Sequence, residues 1–132
     1  AARPISFFDN RLCRLESVHN AVEGAKIVAA AITGGKSPAL EAPWFWSDQY
    51  DLKLQIAGLF QGYDHIVFRG VITDRAFAAF YYQGERLIAV DAVNKPAEYL
   101  GAKMLIQTGR TLPREVIADE TRPMKELVAS AK

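Results

Sequence analysis

The sequence has little cysteine and no excess of charge of either sign. Cys13 is the single cysteine among 132 residues, so the chain has neither an internal disulfide nor a pair of thiols for a metal or an iron–sulfur cluster. Lys and Arg number 16 against 15 Asp and Glu, which leaves a net charge of +1. Nucleic acids and membrane surfaces select concentrated basic faces, so this balance predicts neither as a partner.

Long apolar runs and catalytic signatures are also missing. No apolar stretch approaches the roughly 20 residues that span a bilayer, and the first segment, AARPISFFDNRLCRL, lacks the apolar centre of a signal peptide. We therefore expect a protein of the reducing cytoplasm, and we expect this start, which has no initiator Met, to continue a longer chain. GxGxxG, GxxxxGK[ST], GxSxG and HExxH patterns are absent from the sequence. His19 and His65 are too isolated to predict a metal site, and the pattern favours a capping or solvated role for both.

An amino-terminal helix is predicted from about residue 18 to 33. Ser17 suits its N-cap, and Gly34-Gly35 suits its end. Helical spacing predicts one buried apolar stripe, formed by Val18, Ala21, Val22, Ala25, Val28, Ala29 and Ile32. The segment KSPALEAP is a linker with two prolines. We therefore divide the chain into residues 1–42, a helical remnant of another domain with its linker, and residues 43–132, a domain of its own.

The second part of the chain predicts an antiparallel sheet covered by helices. Apolar residues alternate with polar ones over 52–57, and HIVFRGVI, AFAAFYYQ and RLIAVDAV are rich in β-branched and aromatic residues. Short turns between these strands require antiparallel pairing. A helix is expected from Pro96 to Gly109, with two shorter ones after Pro113 and over MKELVASA. The predicted fold class is α+β, with the helices on one face of the sheet.

One aromatic cluster stands out, at APWFWSDQYDLKLQIAGL. Trp44, Phe45 and Trp46 crowd together there before Ser47-Asp48-Gln49, which we expect to form a polar turn. From the residues alone, the cluster favours core packing or anchoring of the linker.

Four segments together resemble a known family: RLESVHNA, PWFWSDQYDLKLQIAGL, FYYQGERLIAVDAVNKPAEY and GAKMLI. They are similar to the carboxy-terminal part of the FAD-dependent, oxygenase-coupled ferredoxin reductases, the family of putidaredoxin and rubredoxin reductases, with apoptosis-inducing factor a distant relative. The resemblance implies a parent enzyme that uses FAD and NAD(P)H and passes electrons to a ferredoxin-type iron–sulfur protein. It also implies missing N-terminal FAD- and NAD-binding domains, and a fragment that is inactive alone and holds no cofactor tightly.

The resemblance also assigns roles to individual residues. It implies that Ser17 and Val18 touch the flavin ring, that Glu16 lies near the nicotinamide, and that Trp46 is the catalytic residue beside the isoalloxazine on the electron-exit side. A helix N-terminus carries partial positive charge, which suits a flavin edge that gains negative charge. Trp44 and Phe45 are implied to be the packing support.

Two further hypotheses concern surfaces. Lys26, Lys53 and Lys125 could form a docking face for an acidic ferredoxin, because opposite charges steer transient redox encounters, although an ordinary solvated surface explains each lysine singly. The alternative function is a non-catalytic interface or dimerisation module of a flavoprotein. The C-terminal domains of disulfide reductases are disfavoured because the sequence has no His-Pro pair.

Overall fold

The computed structural model describes residues 3–5 and 11–131. A short antiparallel hairpin, β1 (Arg3–Ile5) and β2 (Arg11–Cys13), precedes helix α1 (Val18–Thr33). The main sheet consists of β3 (Trp44–Gln49), β4 (Leu52–Gly58), β5 (His65–Val71), β6 (Ala76–Gln83) and β7 (Arg86–Val93). Helices α2 (Pro96–Thr108), α3 (Arg114–Ala118) and α4 (Met124–Ser130) complete the chain. The sheet order is β3-β4-β7-β6-β5 with every neighbouring pair antiparallel, which confirms the predicted α+β class.

Helix α1 begins and ends at the predicted residues. The Ser17 hydroxyl accepts a hydrogen bond from the Asn20 backbone N–H at 3.2 Å, which satisfies one of the donors that a helix start leaves unpaired. Gly34 ends the helix in the left-handed conformation, with φ 67°.

The predicted burial of the α1 stripe is wrong for this chain. Val18 is 62% exposed and Ile32 is 80% exposed, and the buried residue of the helix is Glu23. Helical spacing identifies the face that is apolar, but the covering surface has to come from elsewhere. Within the residues that the structure describes, nothing covers this stripe.

The predicted turn at Ser47-Asp48-Gln49 is also wrong. These residues belong to β3, which pairs with β4 from Trp44↔Ala57 to Gln49↔Leu52, and the turn falls at Tyr50, which has φ 56°. An edge strand tolerates polar residues because one of its sides meets solvent. The sequence analysis also did not predict the β1–β2 hairpin.

The helices cover one face of the sheet, and a smaller cluster around Ile88, formed with Cys13, Leu15, Leu59 and Tyr81, covers part of the other face. The core between the helices and the sheet contains Ala78, Phe80, Tyr82, Val90, Ala92, Tyr99, Leu105, Ile117 and Leu127. On the opposite face, one row of directly opposed residues crosses all five strands, and it consists of Phe45, Ile56, Asp91, Ala79 and Phe68. Phe45 and Phe68, at the two ends of this open-face row, are 41% and 48% exposed. In the middle of the row Ala79 is buried and Asp91 is half-buried, so the exposed apolar side chains lie at its two ends.

Two absences apply to the described part of the chain. No helix there is long and apolar enough to cross a membrane. Over the same residues, His, Cys, Asp and Glu side chains form no group of three that could hold a metal ion.

Candidate functional site

The start of α1 forms the wall of an open hollow. The hollow has a volume of about 600 Å³ and is lined by Arg14, Leu15, Glu16, Ser17, Val18, Asn20, Ala21 and Phe45. Three of the four predicted site residues, Glu16, Ser17 and Val18, therefore lie together. A side chain from β3, Phe45, faces them across the hollow.

The electrostatics of this hollow favour a group that carries negative charge. The first backbone N–H groups of a helix have no partner within the helix, and they carry about half a positive charge. The first turn of α1 contains no acidic residue that would neutralise this charge. The nearest carboxylate, Glu16, lies 2.9 Å from the Arg14 guanidinium, and both side chains are exposed.

A second, smaller hollow continues from the first. It has a volume of about 180 Å³ and is lined by Leu15, Glu16, Ser17, Pro43, Trp44, Phe45, Ile56, Gly58 and Leu59. Phe45 lines both hollows, so it connects the helix start to the apolar open face of the sheet. The family resemblance implies only a supporting role for Phe45. If β3 is recognised as a strand, alternation places Phe45 on the sheet face opposite the two tryptophans.

Trp46, the fourth predicted site residue, lies apart from the other three. Successive side chains of a strand point to opposite faces, so Trp44 and Trp46 share the helix-covered face of β3 while Phe45 points to the open face. The Trp44 and Trp46 ring centroids are 5.4 Å apart with an interplanar angle of 32°. Trp46 is 40% exposed. The structure therefore brings Trp46 together with Trp44, and it brings Glu16, Ser17 and Val18 together with Phe45.

Trp44 is surrounded by polar groups from three elements. The His19 ring of α1 lies 5.0 Å from the Trp44 ring, and the Lys103 ammonium of α2 lies 4.7 Å from the Trp44 ring centre. Glu41, in the linker, accepts a hydrogen bond from Lys103 at 3.3 Å, which lowers the pKa of the Glu41 carboxyl. The prediction of a capping or solvated histidine is wrong for His19, whose side chain is 12% exposed.

The three lysines of the docking hypothesis lie on three different elements. Lys26 is exposed on α1, and Lys53 on β4 lies 3.9 Å from Asp48. Lys125 on α4 lines an apolar hollow between α2 and α4 together with Arg110. The docking face stays a prediction.

The sheet, its single layer of helices and the tryptophan edge define the class: an antiparallel α+β domain with exposed apolar side chains on α1 and at the ends of the open-face row. Residues 44–128 match the family described as "Reductase C-terminal". The chain belongs to this family of reductase carboxy-terminal domains.

Named relatives agree with this assignment. Putidaredoxin reductase of Pseudomonas putida is 43% identical over 93% of this chain and 29% of that protein. Rhodocoxin reductase of Rhodococcus erythropolis is 42% identical over 92% of this chain and 28% of that protein. The solved covalent complex of putidaredoxin reductase with putidaredoxin matches with a TM-score of 0.87 and 42% identity, over 92% of this chain and 29% of the solved one. The chain thus spans about 29% of the length of putidaredoxin reductase.

Proposed function

We propose that this chain is the carboxy-terminal part of an FAD-dependent NAD(P)H:ferredoxin oxidoreductase. In this proposal residues 1–42 complete the FAD-binding domain, and residues 43–132 form the domain that faces the electron acceptor. The chain is inactive alone and holds no cofactor tightly, because the FAD- and NAD-binding domains are supplied by sequence outside it. The relatives that carry "reductase" in their names, and the coverage of only 29% of putidaredoxin reductase, support this proposal.

The observation that carries the proposal is the pair of uncovered apolar surfaces. The α1 stripe exposes Val18, Val28 and Ile32 by 62%, 57% and 80%. The open-face row exposes Phe45 and Phe68 at its ends. Each square ångström of apolar surface removed from water stabilises by roughly 25 cal/mol, so these surfaces favour contact with a further domain. A helix that completes the FAD-binding domain and a sheet that packs against that domain would both expose apolar side chains when the domain is absent.

We expect the hollow at the start of α1 to hold the flavin, because the helix N-terminus carries a partial positive charge that no acidic residue of the first turn neutralises. Ser17 and Val18 would present backbone N–H groups to the electron-rich edge of the ring, and Phe45 would form an apolar wall that excludes water. Glu16, beside Arg14, would lie at the nicotinamide side. FAD, when bound, supplies the conversion of a two-electron hydride donor into single electrons. The protein's own part is to orient the ring and to stabilise negative charge at one edge of it.

Trp46 is proposed as the catalytic residue at the electron exit. It is partly exposed and packs against Trp44 at an interplanar angle of 32°. We therefore expect the indole pair to exclude water between the flavin and the electron acceptor. Lys103, next to Trp44, is paired with Glu41 at 3.3 Å, so this pair gives the edge no net charge. We expect a ferredoxin-type iron–sulfur protein as the partner because putidaredoxin reductase, a relative of this chain, is solved in complex with putidaredoxin.

Two experiments test the proposal. Titration of FAD into the purified chain should give no tight binding, and a bound flavin spectrum at stoichiometric FAD would contradict it. In the intact reductase, Trp46→Leu should slow electron transfer to the ferredoxin by at least about tenfold, since one misplaced contact costs 1.4 kcal/mol or more, while NAD(P)H-dependent flavin reduction stays unchanged. Tyr50→Leu, in the fully exposed turn after β3, is the matched control.

The alternative function is a non-catalytic interface or dimerisation module. The open-face row is the observation that favours it, because the exposed phenylalanines at its ends also suit a second copy of the chain. Unchanged electron transfer in Trp46→Leu, together with oligomerisation that is lost in Phe68→Ser, would favour this alternative over the reductase.

A further inference from the structure

The Trp44 indole is held from three directions by groups that carry, or can acquire, charge. His19 stacks on one side with a centroid separation of 5.0 Å and an interplanar angle of 37°. Lys103 places its ammonium 4.7 Å from the Trp44 ring centre. Glu41 links the two, with its Oε2 atom 3.7 Å from His19 Nε2 and 3.3 Å from Lys103 Nζ.

These groups come from elements that are otherwise separate. His19 lies on α1, Glu41 in the linker and Lys103 on α2. The linker is fixed in turn by its own hydrogen bonds, since the Glu41 backbone N–H donates to Glu23 at 3.0 Å. The cluster around Trp44 therefore connects α1 to the sheet at the edge strand β3.

We propose that His19 is a positioning residue for the tryptophan pair, and that its charge state sets the surroundings of Trp44. An imidazole in contact with an indole restricts the ring by stacking. When it gains a proton, the imidazolium interacts with both the indole face and the Glu41 carboxylate. Control of the electron exit at Trp46 rests on the proposed function, whereas the contact of His19 with Trp44 does not.

Histidine is the side chain type whose charge changes between about pH 5 and pH 8, so a titration over that range tests the contact of His19 with Trp44. The hydrogen bond from Lys103 lowers the pKa of Glu41, so this carboxylate stays ionised across that range, and burial raises the pKa of Tyr99 on α2, which keeps the phenol neutral. Glu23, one turn along α1, accepts a hydrogen bond from the Glu41 backbone N–H.

The chain itself offers a spectroscopic test, because Trp44 and Trp46 are its two tryptophans. Intrinsic fluorescence should fall as the pH is lowered from about 8 to about 5, since a protonated imidazole in contact with an indole quenches its emission. Two stacked indoles also couple their transitions, which gives a pair of bands of opposite sign in the far-ultraviolet circular dichroism spectrum. The fluorescence reports the surroundings of Trp44, and the coupled bands report the geometry of the Trp44–Trp46 pair. Neither readout depends on electron transfer.

Three variants give distinct expected results. His19→Phe keeps a ring against Trp44, so it should keep the coupled bands and lose the pH dependence of the fluorescence. His19→Ala should weaken the bands and also lose the pH dependence. His65→Phe should behave like the wild type, because His65 lies on β5 at the opposite edge of the sheet, about 19 Å away at four strand spacings.

The proposal is overturned if the fluorescence of the wild-type chain is flat across this range, or if His19→Phe titrates like the wild type. It is also overturned if His19→Ala, with its secondary structure retained, leaves the coupled bands unchanged. A variant of His19 that fails to fold still leaves the wild-type titration and the His65→Phe comparison to decide the outcome. Failure of the reductase proposal would leave these spectroscopic results unaffected.

Discussion

Replacing Arg69 should destabilise the chain strongly, because this buried side chain fastens the carboxy-terminal segment to the sheet. Arg69 is 3% exposed, and its guanidinium donates to the backbone carbonyls of Ile117 at 2.6 Å, Asp119 at 2.9 Å and Arg122 at 2.9 Å. The Glu98 carboxylate lies 3.9 Å from Arg69 Nε. Removing this charged donor leaves the buried Ile117 carbonyl and the part-buried Asp119 and Arg122 carbonyls without it, and a buried acceptor left unpaired costs about 1–3 kcal/mol.

For Arg69→Met, a side chain of similar length, we expect a loss of about 3–5 kcal/mol in the free energy of unfolding. This is a large part of the 5–15 kcal/mol that holds a typical domain together. This loss is in the lower part of the roughly 3–9 kcal/mol that three fully buried, unpaired acceptors would cost. The reason is that the desolvation penalty of the guanidinium is removed at the same time.

Urea denaturation followed by tryptophan fluorescence measures this loss directly. Arg75→Met is the matched control, since Arg75 makes an exposed pair with Asp51 at 2.9 Å, and exposed pairs contribute about 0–1 kcal/mol. If Arg69→Met and Arg75→Met lost the same small amount, the reasoning about buried acceptors would be refuted.

Three further predictions follow from local geometry. Gly58→Ala should lower the free energy of unfolding by more than about 2 kcal/mol, because Gly58 has φ 82° and an added Cβ would collide with the Ile88 carbonyl. Gly84→Ala, with φ 57° in open space, should lower it by about 1 kcal/mol, as measured by thermal denaturation. Burial raises the pKa of the Asp91 carboxyl, so the native state disfavours its ionisation; the stability of the wild type relative to Asp91→Asn should fall as the pH rises from about 3 to about 7, and a constant difference would refute this. Ser17→Ala should speed amide exchange in α1 roughly fivefold, equivalent to about 1 kcal/mol, and Ser17→Asp should restore protection.

Much of the fold could be predicted from the sequence because its signals are local. Helix α1 begins after Ser17, and α1 and α2 end at Gly34 and Gly109, through the backbone and side-chain chemistry of these residues. The period-two run from Leu52 needs no distant partner to be recognised. The strand β3 could not be predicted in this way. Its polar half, Ser47 to Gln49, is held by pairing with β4, which is information from another part of the chain.

The candidate site divides in the same manner. Glu16, Ser17 and Val18 lie together because they are adjacent in sequence, and their roles at the flavin stay a prediction from the family resemblance. The opposite placement of Phe45 and Trp46 depends on strand alternation in β3, and the contact of His19 with Trp44 depends on how α1 meets the sheet. The periodicity of α1 marked its apolar stripe correctly, but no local rule shows what covers it.

The most direct test of the account is the midpoint potential of the flavin in the intact reductase with a carboxylate placed at the start of α1. Val18→Glu adds a negative charge at the helix N-terminus, where it stabilises the helix itself. If the flavin edge lies roughly 6 Å away, an effective dielectric constant of about 20 gives a repulsion of ~3 kcal/mol, or ~60 mV for the two-electron couple.

The potential should be several tens of millivolts more negative in Val18→Glu. The control is Ala31→Glu, at an exposed position outside the apolar stripe and about 20 Å further along the same helix, and it should leave the potential close to that of the wild type. Equal potentials in the two variants would contradict the claim that the start of α1 faces the flavin.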